Sequence, residues 1–302
     1  MQNKQLTPNV LKPGDTIAII APAKAANKEH LQLAQTIIQK RGYKVLLSPH
    51  IDKLYHQFAG TDSERAADLQ WAVNHKDVRA VFCFRGGYGT YKILEKVDFS
   101  PIKSNPKWFV GFSDITSLQL YLYRHYRLVS LHAPMPVNYK NISTEAMDSV
   151  FAALENYTLK HQTNHHPLNV CGNANGILLG GNLSLIYSMT GSNDLPDFEN
   201  CILFIEDLDE YLYHVDRMML NLDKSGILKK ISALIVGGMS SMKDNEIPFG
   251  KNAEEIIYEY FSKYDKPLCF NFPIGHIMDN RALIQGKFAE LRINNLSTEL
   301  IQ

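Results

Sequence analysis

The chain has no apolar run near the roughly 20 residues needed to span a bilayer. Its first residues, Met1 to Asp15, are polar and broken by Pro8, Pro13 and Gly14, with no apolar core of the kind a signal peptide requires. A cytoplasmic protein is expected. Excess charge is also missing: Lys plus Arg and Asp plus Glu are 31 each, which gives no electrostatic reason to expect nucleic acid or an anionic membrane as partner. A small substrate is the default. Cysteine is scarce, and Cys83, Cys171, Cys201 and Cys269 form no C-x-x-C pair, which removes zinc-ribbon and thioredoxin-type readings. Cys83 and Cys201 sit in strand-like apolar runs where cysteine packs as a small hydrophobe, and a reducing compartment fits. There is no internal repeat and no low-complexity segment.

What is present is a chain of 302 residues, 45% apolar, long enough for two modest cores. Strand-like runs at Thr16 to Ala21, Lys44 to Leu47, Ala80 to Phe84, the apolar burst at Trp108 and Leu128 to Leu131 alternate with helical patterns. One helix carries Leu31, Ala34, Ile37 and Ile38 and closes at Gly42; another opens at a capping box spaced Thr61 to Glu64. This alternation predicts an α/β domain with a doubly wound parallel sheet over residues 1–155. Around Glu155 to Asn175 periodicity dissolves, so 156–172 is expected as a linker and 173–302 as a second, β-rich domain with one or two helices. Strands are expected there at Cys201 to Ile205, Ala233 to Val236 and Leu268 to Asn271, with Phe288 to Ile293 as the final one.

Ligands of open parallel sheets bind beyond the carboxyl ends of the strands. Two such ends stand out. Ser113 lies where the Trp108 strand meets a helix, a corner at which a side chain can project past the sheet edge beside unpaired helix N–H groups. Ser113 and Asp114 also suit a plain N-cap role. The turn Arg85-Gly86-Gly87-Tyr88-Gly89 admits three readings: a phosphate cradle at the following helix, although its spacing matches neither G-x-G-x-x-G nor a P-loop; a tight turn; or a backbone N–H brought beside that of Asp114 as a two-donor oxyanion hole.

In the second half, Glu206 and Asp207 directly follow an apolar run, with Asp207, Asp209 and Glu210 expected to face water. His276 follows the stiff turn Pro273-Ile274-Gly275 and suits a positioned base, whereas His132 beside Pro134 reads as structural. A serine nucleophile needs an imidazole to take its proton and a carboxylate to orient that imidazole; Ser113, Glu206 and His276 offer one of each. The segment Gly111-Phe112-Ser113-Asp114-Ile115 lacks the final glycine of the G-x-S-x-G elbow, which argues against an ordinary α/β hydrolase.

With these motifs in order, and with Leu11-Lys12-Pro13-Gly14-Asp15, Ala66-Ala67-Asp68-Leu69-Gln70-Trp71-Ala72, Gly181-Asn182-Leu183-Ser184 and Gly275-His276, the chain resembles the LD-carboxypeptidases over nearly its whole length. The resemblance implies a serine peptidase with Ser113 as nucleophile, His276 as general base and Glu206 as its orienting acid. It further implies a flavodoxin-like or Rossmann-like N-terminal domain, a β-rich C-terminal domain, a catalytic crevice between them and a homodimer. The substrate implied is a cytoplasmic murein tetrapeptide, cleaved before its terminal D-alanine, with no metal or organic cofactor. Asp114, Gly87 and Gly86 are the expected oxyanion and substrate contacts, and Arg85 is the candidate for the terminal carboxylate. Two departures, Ala133 after His132 and the lack of a proline in Ala282-Leu283-Ile284-Gln285-Gly286, touch packing more than the triad. Two other functions compete: a same-scaffold enzyme of the microcin-immunity type, cleaving a peptidyl or acyl-sulfamoyl adenylate, and a non-catalytic protein binding a small ligand.

Overall fold

A computed structural model describes residues 5–302; residues 1–4, part of the polar N-terminal stretch, lie outside it. The first half alternates as its periodicity requires: β1 (Thr16–Ile20), α1 (Lys28–Lys40), β2 (Lys44–Leu47), α2 (Asp62–Asn74), β3 (Val78–Cys83), β4 (Trp108–Gly111), α3 (Thr116–Tyr126), β5 (Ser130–His132) and α4 (Thr144–Asn156). Short 3-10 turns fill the connections at Tyr91–Lys96 and Ser100–Lys103. The capping box forms: Thr61 Oγ1 accepts from Glu64 N at 3.3 Å, and the Glu64 carboxylate accepts from Thr61 N at 2.8 Å. β1 to β5 pair in parallel in the order β5-β4-β3-β1-β2. All five β1 residues are buried, as expected of a sheet covered by helices on both faces.

The second half comprises β6 (Lys160–Asn164), β7 (Gly172–Asn182), α5 (Leu183–Met189), β8 (Ile202–Leu208), α6 (Leu212–Lys224), α7 (Ile227–Lys230), β9 (Ala233–Ser240), α8 (Ala253–Phe261), β10 (Leu268–Cys269), β11 (Leu283–Gln285), β12 (Phe288–Ile293) and β13 (Ser297–Ile301). Seven of these strands form one mixed sheet, β10-β9-β8-β7-β12-β13-β6. Its first four are parallel, and its last three run on antiparallel from the long β7.

Several expectations need correction. The stretch 156–172 holds β6, whose alternating polar residues pair with β13 and so carry no apolar signal. Four helices, not one or two, cover the second sheet. Phe288–Ile293 is the half-buried strand its alternation predicts, but β13 follows it. β11 leaves the second half altogether and pairs antiparallel with β5, closing the edge of the first sheet.

The two sheets are tied together beside the crevice. Asn182 N, at the end of β7, donates to Thr116 Oγ1 of α3 at 3.0 Å. A Cβ at Gly181 (φ +139°) would lie 2.4 Å from that same oxygen, so only glycine lets β7 pass so close to α3.

Candidate active site

β4 ends at Gly111, Phe112 stays extended, and Ser113 then adopts φ +61° before the chain enters a 3-10 turn, Ser113–Ile115, and α3. A left-handed serine costs about 1 kcal/mol or more, so the turn is held from outside. Asp114 does part of this: its buried carboxylate accepts from Thr90 N at 2.9 Å, anchoring the glycine turn to the corner. Burial raises the Asp114 pKa above its ordinary value, against the opposing hydrogen bonds from Thr90 and Gly89 and the charge of Arg65. Gly86 does the rest, because a Cβ there would come within 3.0 Å of Ser113 Cβ, 3.1 Å of its Oγ and 3.2 Å of Asp114 N. Neither Ser113 nor Asp114 caps a helix with its side chain. The N-cap reading is therefore set aside, and the glycine turn and the serine corner meet.

On the facing wall, Glu206 and Asp207 lie within β8 rather than after it, at a register shift against β9 between Ile205 and Asp207. Glu206 is fully buried, and its Oε2 is 2.6 Å from His276 Nδ1. Because an ionised carboxylate only accepts, Nδ1 carries the proton, and Nε2 is left as the nitrogen able to take another. The imidazole sits in a turn fastened by Gly275 N donating to Asn280 Oδ1 at 2.8 Å and Ser240 Oγ donating to His276 O at 2.9 Å. Gly275 (φ +95°) permits the close fit, since a Cβ there would meet Glu206 Cβ at 2.5 Å. Burial pulls the His276 pKa down, but the charge and hydrogen bond of Glu206, with the charge of Asp207, leave it above the usual histidine value.

Asp207 does not face water as expected. It is 1% exposed and accepts from Asn182 Nδ2 and Ser184 N, each at 2.8 Å, and from Leu208 N at 2.9 Å. Burial, and after it the charge of Glu206, pushes its pKa up to about 7. The carboxylate thus fixes the start of α5, a role that an acid next to a strand end does not announce in sequence. Asp209 is exposed as expected and pairs with Lys243 at 2.7 Å.

Ser113 and His276 line one cavity of about 420 Å³, together with Arg85, Gly86, Gly87, Asp209 and Glu210. A second lobe of about 380 Å³ continues past His276 along Asn138, Asn141 and Met278 and shares Phe112, Val137 and Asn138 with the first. The Phe112 ring lies 4.7 Å from the His276 ring, which places the residue before Ser113 directly on the imidazole. No hydrogen bond joins Ser113 Oγ to His276 in this structure; such contacts commonly tighten only around substrate. Lys24 also lines the cavity and was missed in sequence, although it lies just past the carboxyl end of β1, where open-sheet ligands bind. Its aliphatic stem packs over Gly87, where a Cβ would come within 2.5 Å of Lys24 Cδ. Neither Lys24 nor Arg85 has an acidic partner within 4.0 Å among the described residues, so two unpaired cations flank the serine. The described residues contain no group of three or more His, Cys, Asp or Glu placed to hold a metal ion, and no helix among them is long and apolar enough to cross a membrane.

The N-terminal domain of LD-carboxypeptidase matches residues 17–133, and the C-terminal domain of LD-carboxypeptidase matches residues 175–291. The chain belongs to the LD-carboxypeptidase family. A Bacillus subtilis protein named "Probable murein peptide carboxypeptidase" is 32% identical over 289 residues, covering 94% of this chain and 91% of that protein. The murein tetrapeptide carboxypeptidase of Pseudomonas aeruginosa is 29% identical over 93% of this chain and 94% of its own length. The crystal structure of muramoyltetrapeptide carboxypeptidase from Oxalobacter formigenes superimposes with a TM-score of 0.87 at 32% identity, over 95% of this chain and 98% of that one. The microcin C7 self-immunity protein, solved with glutamyl sulfamoyl guanosine, reaches the same TM-score of 0.87 at 20% identity and shares the fold. In this LD-carboxypeptidase-family chain the two matched domains contribute opposite walls of the crevice: Ser113 falls in the first, Glu206 and His276 in the second.

Proposed function

We propose that the protein is a serine LD-carboxypeptidase that releases terminal D-alanine from murein tetrapeptides by hydrolysing the amide that follows the L-centre of the diamino acid. The observation that carries this reading is the 2.6 Å Glu206–His276 pair opening onto the cavity that holds a strained Ser113. In the proposed reaction, Ser113 Oγ attacks the scissile carbonyl carbon as His276 Nε2 takes its proton. His276 then gives that proton to the departing amine of D-alanine, and water attacks the acyl-enzyme by the same route to regenerate the serine. Glu206 holds the tautomer and stabilises the imidazolium. The N–H groups of Asp114 and Gly87 receive the oxyanion, each donor worth on the order of 100- to 1,000-fold in rate, and Gly86 keeps them within reach by lacking a side chain. Arg85, whose Nε is buried without a partner among the described residues, takes the terminal carboxylate, a geometry that suits guanidinium. On this reading the enzyme works in the cytoplasm on peptides recovered from the cell wall, and the family resemblance adds a homodimer.

Incubating purified protein with murein tetrapeptide, with its all-L counterpart and with an aminoacyl-sulfamoyl adenylate, and measuring released amino acid, tests the assignment. Alanine released from the first alone is the expected result. Turnover of the adenylate alone moves the protein to the microcin-immunity reaction, and tight binding with no turnover of any of the three makes it a binding protein.

A further inference from the structure

Behind the Glu206–His276 pair lies a second imidazole that this mechanism leaves idle. His132 ends β5, in register with Gly111 of β4, and is fully buried. Among the described residues neither of its ring nitrogens has a hydrogen-bond partner. Its ring packs edge-on against Phe204 at 5.0 Å and Phe112 at 5.8 Å. Both contacts lead to the site: Phe204 is two residues before Glu206 on β8, and Phe112 lies against His276 at 4.7 Å. Glu206 shows the matching deficit. Its Oε2 serves His276, while its Oε1 is equally buried and has no partner among the described residues.

A buried polar atom without a hydrogen bond costs about 1–3 kcal/mol, so two such groups on neighbouring residues are poorly explained by packing alone. Chemistry fits the one to the other. Burial pulls the His132 pKa down to about 4, against the pull of Glu206 and with the help of His276, so the ring is neutral at working pH. A neutral imidazole always carries one N–H donor, and a carboxylate oxygen only accepts.

We propose that His132 is a positioning residue: its neutral imidazole gives an N–H hydrogen bond to a water that in turn donates to Glu206 Oε1, and so fixes the carboxylate that orients His276. The proposal rests on the reading of Glu206 and His276 as the acid–base pair and adds a second imidazole to it. A donor on Oε1 spreads the carboxylate charge and weakens its hold on the His276 proton, so removing the donor raises the His276 titration midpoint. The other groups facing His276 are unchanged by such a substitution: Asp207 on β8, Asp209 and Glu210 just past it, and Lys24 and Arg85 across the cavity.

The test is a titration of the ¹⁵N-histidine resonances of the full chain, without substrate, in the parent and in H132F, H132L, H132N and H132Q. In H132F or H132L, whichever keeps the parent fold by circular dichroism, the His276 midpoint is expected to rise by about half a pH unit or more. In H132N or H132Q, where an amide N–H replaces the ring N–H, it is expected to return toward the parent value. With tetrapeptide, the apolar variant is expected to lose about tenfold in kcat at unchanged KM, a fraction of the roughly 100- to 10,000-fold that a positioned general base supplies. An unchanged midpoint in the apolar variant overturns the proposal. So does a raised midpoint that neither amide reverses, which makes His132 a packing residue. The resonance readout needs no turnover, so it separates this inference from the substrate assignment.

Discussion

On one wall of the crevice Ser113 is placed by backbone: a left-handed φ of +61°, a glycine turn pressed to within van der Waals range, and an Asp114 carboxylate clasping Thr90 N. On the other wall His276 is placed by side-chain hydrogen bonds, to Glu206 on β8 and between Gly275 N and Asn280, in a turn whose positive φ over 273–276 falls on Gly275, where glycine tolerates it. The difference teaches how each half of the site responds to change. The serine wall is a steric device, expected to fail when volume is added, whereas the Glu206–His276 wall is an electrostatic device, expected to fail when charge is removed.

Substitutions that break each device separately sharpen the contrast. Ser113→Ala removes the oxygen proposed to attack and is expected to lower kcat by about a million-fold with the far-UV circular dichroism spectrum unchanged. Glu206→Gln keeps the volume but deletes the charge that holds the imidazole tautomer, with an expected loss of about 10,000-fold in kcat, read in the same alanine-release assay. Gly86→Ala adds a single methyl against Ser113 Oγ; a displacement of that scale costs on the order of 100-fold in kcat, while the pH profile keeps its shape.

Proton linkage gives the next effect. His276 lies above its ordinary pKa, so the rising limb of kcat/KM against pH is expected above about 6.5. The same sign applies to stability: the Glu206–imidazolium contact contributes fully below about 6.5 and is lost as pH rises through the folded value. Turnover and melting temperature measured across that interval should therefore move in opposite directions. The smallest effect expected is for Thr61→Ala, which breaks the capping box of α2 while leaving the Arg65–Gly89 contact to the glycine turn in place; it costs about 1 kcal/mol in urea unfolding and leaves kcat untouched.

Much of this was legible in the residues, for identifiable reasons. β2 and the Thr61–Glu64 box matched their expected positions because periodicity and capping are local signals. The serine corner and the glycine turn were readable as strand ends, and the ordered motifs placed Glu206 and His276 in the second half. Asp207 was misread because its burial depends on Asn182 and Ser184, some two dozen residues away in sequence and visible only once β7 lies beside β8. β6 stayed hidden because its partner β13 lies at the other end of the domain and its own residues, Lys160 to Asn164, are polar. Lys24 reached the crevice through the packing of its stem on Gly87, a contact with no counterpart in spacing.

The return of β11 to the first sheet bears on how the chain is made. β5 ends by residue 132, yet among the described residues its outer edge is paired only by residues 283–285, and Ala282 and Ile284 complete the first hydrophobic core. During synthesis the N-terminal half must wait with an open, hydrogen-bond-hungry margin until residues 283–285 have left the ribosome, about 150 residues after β5. A fragment ending near residue 155 is therefore expected to aggregate, while co-expression with the remaining half should rescue it.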